Sequence, residues 1–133
     1  MWGTGSRLGD DRGSAPVEFV LVGVLLTALT LAVMQLALAL LIRNTLQDAA
    51  AEGARHAALA GNTLEDGVAR TRDLVATAIG DAYTQNIAAG YGDRLGHPST
   101  EIRIVAPLPL IGLFGPSRSL EVTGHAALET LVR

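Results

Sequence analysis

The chain has 133 residues, enough for one small domain, and a formal net charge of −3 from 10 basic residues, all of them Arg, against 13 acidic ones. It has no cysteine, which excludes disulfides and thiolate metal sites. The arginines are scattered and aromatic residues make up only 4% of the chain, so neither a basic phosphate-binding patch nor a base-stacking surface is expected, and no nucleic-acid partner.

Residues 1–13 read as a short polar leader ending in Arg12-Gly13, followed by Ser14-Ala15-Pro16-Val17-Glu18-Phe19. Glycine lets a protease approach the backbone closely, so Gly13 and Ser14 flank the candidate processing site. Pro16 has no N–H and a fixed φ, which suits the first turn of a helix opening at Ser14 or Ala15. Glu18 is a single acid at the edge of an apolar run. The helix macrodipole favours a carboxylate near a helix N-terminus by about 0.3–1 kcal/mol, which accounts for an isolated acid. A carboxylate ionised at the centre of a bilayer costs about 2.5–3.5 kcal/mol, less at the edge, and a charged partner offsets that cost. A cut after Gly13 creates a new α-amino group. Placed near Glu18 of a neighbouring copy, it would bond the carboxylate and select the stagger at which helices stack. Glu18 and Phe19 are therefore the candidate residues for subunit register.

Residues 19–42, FVLVGVLLTALTLAVMQLALALLI, are 24 residues without a charge. As a helix they extend roughly 36 Å, which covers a hydrocarbon core of about 30 Å with some tilt. Only Thr27, Thr30 and Gln35 are polar, and the threonines can bond back to the helix's own carbonyls. A buried helix of a soluble domain is disfavoured because the rest of the chain is too small to enclose it. A cleaved secretory signal is a second alternative, but its apolar region runs about 7–15 residues and this one passes straight into a further helical stretch. Arg7 and Arg12 before the span balance Arg43 and Arg55 after it, so charge does not set the orientation. The short leader is expected to stay in the cytoplasm, with the C-terminal part outside.

Beyond the span, residues 43–61 keep helical character. Leu46, Ala50, Ala54, Ala57 and Gly61 fall on one face, and Ala50, Ala54 and Ala57 are the candidate helix-packing residues. Close packing against neighbouring subunits and plain alanine helix propensity explain the stripe equally well. The first helix is expected over about residues 15–60. Arg12-Gly13, Val17-Glu18-Phe19, the leucine-rich span and Ala49-Ala50-Ala51-Glu52-Gly53-Ala54-Arg55 together resemble the TadE family of minor pseudopilins in tight-adherence (Flp, type IVb) pilus systems. The resemblance covers residues 12–61. It implies that a membrane prepilin peptidase cuts after Gly13, making Glu18 the fifth residue of the mature chain. It also implies pilin or pseudopilin subunits and the assembly platform as partners, alongside membrane lipid. Many relatives carry a proline early in the span, where this chain has Gly23-Val24.

Gly61 reads as a helix C-cap and Asn62-Thr63-Leu64-Glu65-Asp66 as a new N-cap with acids in the first turn. Leu64, Val68, Thr71, Val75, Ile79 and Ala82 then recur at helical spacing, which predicts an amphipathic second helix to about Ile87. Residues 88–99, rich in glycine, read as a loop. Residues 100–106, TEIRIVA, alternate as a strand, and residues 119–130 form a second strand candidate, so a hairpin packed on helix two is expected. The apolar turn-rich stretch 108–114 between them is expected to fold over the domain or to touch a partner or the membrane.

His56, His97 and His125 have no ligand spacing, and no metal, cofactor or catalytic motif is present, so an enzyme is not expected. The expected architecture is α+β: a leader at 1–13, a membrane helix at 14–42, its extension at 43–61, and a small outer domain at 62–133. The leading function is a minor pilin or pseudopilin subunit. The alternatives are an uncleaved single-pass adaptor and a secreted domain released from a long signal sequence.

Overall fold

The computed structural model describes residues 4–108 and 119–129, with side chains from residue 13 onward. The chain forms two compact units, Met1–Ala37 and Leu38–Arg133. The apolar stretch read at 108–114 lies, from residue 109 on, outside the described residues, as does Thr130 at the end of the last strand candidate.

Helix α1 spans Thr4–Ala58. It does not open at Ser14 or Ala15. Pro16 lies inside it rather than in its first turn, so the helix loses one i→i−4 bond there without ending. In the first unit, its large apolar side chains stand exposed, Phe19 at 80%. The Thr27 hydroxyl donates to the Gly23 carbonyl and the Thr30 hydroxyl to the Leu26 carbonyl, each at 2.8 Å. Both polar side chains are thus satisfied within the helix, as an apolar medium demands. Among the described residues α1 is the one helix long and apolar enough to cross a membrane.

The second unit is built from the outer part of α1, helix α2 (Leu64–Ile79), a 3₁₀ turn (Asp81–Tyr83) and strands β1 (Asn86–Arg94), β2 (His97–Pro107) and β3 (Ser119–Ala127). After α1, Gly61 takes a φ of 86°, a left-handed conformation that glycine adopts without a Cβ clash. Thr63 then caps α2. Its hydroxyl accepts from the Asp66 N–H at 3.2 Å, while its own N–H donates back to the Asp66 carboxylate at 2.7 Å. That reciprocal pair is the start signal read from the sequence.

Helix α2 stops at Ile79, short of Ile87. Gly80, at a φ of 103°, turns the chain out of the helix while its N–H still bonds the carbonyls of Val75 and Ala76. Residues 86–94, most of them read as loop, instead form β1, and the sheet is three-stranded in the order β1-β2-β3, antiparallel throughout. The sequence NIAAGYGDR has poor intrinsic strand propensity, but β2 supplies nine consecutive partners, from Asn86↔Val105 to Arg94↔His97. The two strands close through Leu95 (φ 56°) and Gly96 (φ 81°), a two-residue turn with both central residues left-handed.

The alternation read at 100–106 is real. Ile102, Ile104 and Ala106 are buried from β2, and they meet Ile42, Leu46, Ala49, Ala50 and Ala54 from α1, Val75 from α2 and Val122 from β3. Fully burying an isoleucine contributes about 1.5–3 kcal/mol, so this one cluster is what holds the sheet on the helices.

Candidate functional site

The residues singled out on α1 fall into two groups. Gly13, Ser14, Glu18 and Phe19 lie in the first unit and are exposed. Gly13 lies inside α1, and apart from its chain neighbours and the helix's own backbone nothing lies within 4 Å of the place a Cβ would occupy there. Ser14 and Glu18 are four residues apart on one helix and therefore share a face. Phe19 begins the run of exposed apolar side chains that continues through Leu41.

Ala50, Ala54 and Ala57 lie in the second unit and are buried by the chain itself, at 0%, 0% and 1% exposure. Their small size has a local use. A Cβ added to Gly124 of β3 would collide with the backbone of Ala50 and Ala51, so glycine is what lets the strand lie directly on α1. Gly53 and Gly67 do the same where α1 and α2 touch. A Cβ at Gly67 would stand 2.6 Å from the Ala57 Cβ and 2.8 Å from the Gly53 carbonyl oxygen. Two buried threonines complete the contact: Thr100 donates to the Ala54 carbonyl at 2.7 Å and Thr71 to the Gly67 carbonyl at 2.8 Å. The stripe read from the sequence thus seats the domain on its own helix. The sequence reading missed Gly53, Gly67 and Gly124, although the glycine in AAAEGAR, inside an otherwise strong helix, was a signal of close approach.

The outer face of the sheet carries ion pairs. Arg103 lies 3.3 Å from Glu101 and 3.1 Å from Glu121, and the His125 ring nitrogen Nδ1 is 3.9 Å from Glu101. These groups are partly exposed, so each pair contributes less than about 1 kcal/mol. His97 and His125 line one pocket together with Arg94 and Ser99, and among the described residues no group of three His, Asp or Glu side chains could hold a metal ion. Among the described residues Asp66 is the one titratable group clearly displaced. Hydrogen bonds from the Thr63 N–H and then from its hydroxyl hold the carboxylate below its ordinary range.

An exposed glycine, an acid five residues on, a membrane-length apolar helix, and a helix extension rich in alanine and glycine are therefore all carried by one continuous element. Residues 13–55 match the TadE-like protein family. No curated protein and no solved structure matches the chain. The TadE-like match begins at Gly13 itself and ends at Arg55, so it contains the apolar span and, of the buried small residues, Ala50 and Ala54 but not Ala57. This segment is therefore similar to TadE-like proteins, and the helix that carries it is long and apolar enough to cross a membrane.

Proposed function

We propose that the chain is a minor pilin or pseudopilin subunit of a Tad-type pilus or related secretion assembly, processed by a prepilin peptidase after Gly13. The observation that carries this reading is the placement of Gly13 and Glu18 at the mouth of the TadE-like segment, exposed and directly ahead of the apolar span. In this account the leader lies in the cytoplasm, residues 19–42 sit in the membrane, and the domain formed by α2 and the sheet lies outside. The peptidase, other pilin subunits and the assembly platform are its partners. It needs no cofactor and performs no catalysis.

The chemistry follows from the cut. Cleavage between Gly13 and Ser14 leaves an α-amino group at the start of the shortened helix, and Pro16 then falls in the first turn, where a missing N–H costs nothing. Glu18 lies at the lipid boundary, where a charge-assisted bond to a neighbour's amino group is stronger than in water. That bond forms at one axial stagger only, which gives Glu18 the task of setting register. The test is Glu18→Gln, produced in the native host. The variant inserts into the membrane as well as the wild type but is lost from the isolated pilus assembly, and normal incorporation would refute the register role.

A further inference from the structure

We infer that the outer face of the sheet, at the end where β1 turns into β2, carries a binding site for a phosphate group. Arg94, His97, Ser99 and His125 line one pocket there, of about 410 Å³. The strand register brings them together. Arg94 of β1 stands opposite His97 of β2 across the two-residue turn, and Ser99 lies two residues further along β2 on the same face. Ala127 of β3 is opposite Ser99, and His125 lies two residues before it on that face.

Ser99 forms the floor. It is 4% exposed, yet no group among the described residues bonds its hydroxyl. Buried hydroxyls are ordinarily bonded, as those of Thr71 and Thr100 are, at 2.8 Å and 2.7 Å. The neighbours of Ser99 on either strand are Gly92 and Ala127, both too small to cover it. A Cβ on Gly92 would stand 3.9 Å from the Ser99 Oγ, so glycine at this position leaves the hydroxyl open to the pocket.

The groups around that floor are donors in want of an acceptor. Among the described residues the Arg94 side chain has no ion pair, and neither it nor the His97 ring has a hydrogen bond. Asp93, beside Arg94, lies on the opposite face of β1, because side chains alternate along a strand. Glu101 is 3.9 Å from the His125 ring, but it is paired with Arg103 at 3.3 Å and does not line the pocket. A guanidinium, a hydroxyl and two imidazoles, each with at least one N–H, thus face one volume with no carboxylate among them. A ligand rich in acceptor oxygens and negative charge satisfies them. The donors come from the turn, from the floor and from β3. Four tetrahedral phosphate oxygens meet such a set better than the two coplanar oxygens of a carboxylate. Leu95 and Ala127 add apolar wall, so a phosphate ester fits as well as the free ion.

The test is titration of the full chain, in micelles of an uncharged detergent at constant pH and ionic strength, followed by the ring resonances of His97 and His125. The probes are inorganic phosphate, glycerol 3-phosphate and acetate. Both phosphates shift the two rings to saturation, and the tighter of them tells whether the site takes the free ion or an ester. Arg94→Gln and Ser99→Ala each raise the Kd by about tenfold or more, the worth of one hydrogen bond to a charged group. Gly92→Val, which covers the hydroxyl, acts in the same direction. Arg72→Gln removes the same charge from an exposed position on α2 and leaves the Kd unchanged. Rings that do not shift, acetate that binds as tightly as phosphate, or an affinity that survives both Arg94→Gln and Ser99→Ala in folded chains overturns the site. None of these results bears on the pilus reading, which the site does not require.

Discussion

Replacing Gly53 by alanine puts the account of the α1–α2 contact under the sharpest strain. A methyl group there meets the Thr71 hydroxyl directly, with the Gly67 carbonyl oxygen 2.8 Å away and Ile102 Cδ1 2.9 Å away. The hydroxyl donates to the Gly67 carbonyl at 2.8 Å and cannot turn aside without losing that bond, worth about 1 kcal/mol. The Gly67 carbonyl is main chain, so it moves only if α2 moves. Overpacking of this kind costs about 1–3 kcal/mol. Alanine returns about 1 kcal/mol of helix propensity over glycine, leaving a net loss of about 1–3 kcal/mol. For a domain of this size the melting temperature falls by at least about 4 °C. The assay is thermal unfolding of the full chain in detergent, followed by the near-ultraviolet signal of Tyr83, which packs on the core. Gly23→Ala, at a position with nothing within 4 Å, is the control and leaves the domain's melting unchanged. A Gly53→Ala domain as stable as the wild type, or more so, would refute the close approach of α1 and α2.

Other expectations follow from the same structure. Thr63→Ala removes the N-cap of α2 and costs about 1 kcal/mol, measurable by denaturant unfolding. The Asp66 carboxylate, held below its ordinary range by Thr63, contributes stability that is present above its unfolded pKa and lost as the pH falls through the lower folded value. Stability curves of wild type and Asp66→Asn therefore converge below about pH 4. Leu95→Asn stabilises the domain by about 0.5–1 kcal/mol in the same unfolding assay, because asparagine tolerates the left-handed turn better. Its exposure of 92% means that no packing is lost. Gly13→Ala blocks leader removal, seen as an unshifted intact mass in the host membrane.

Much of this fold is written in short signals. The Thr63–Asp66 pair announces a helix start because a hydroxyl and a carboxylate three residues apart satisfy each other's backbone donors, whatever the tertiary setting. Ile102 and Ile104 announce a half-buried strand through their period of two. The strand β1 carries no such signal. Its alanines and glycines prefer no conformation strongly, and the segment is extended because β2 lies beside it. The end of α2 was overrun for a related reason: the apolar period continues to Ala82, and only the backbone conformation of Gly80 breaks it. The alanine stripe of α1 was legible as a packing face, but what covers it was not, because the glycines that admit the covering elements, Gly67 and Gly124, lie far along the chain. Glu18 and Gly13 stand out in sequence because a charge and a bare backbone at the edge of an apolar run have no packing explanation.

The measurement closest to the central claim is N-terminal sequencing, with intact mass, of the membrane-bound protein from its native host. The account predicts a mature chain that begins at Ser14 and keeps residues 19–42. A chain that retains Met1 or Trp2, or one that starts beyond Ile42, would contradict it: the first is an uncleaved anchor and the second a secreted domain.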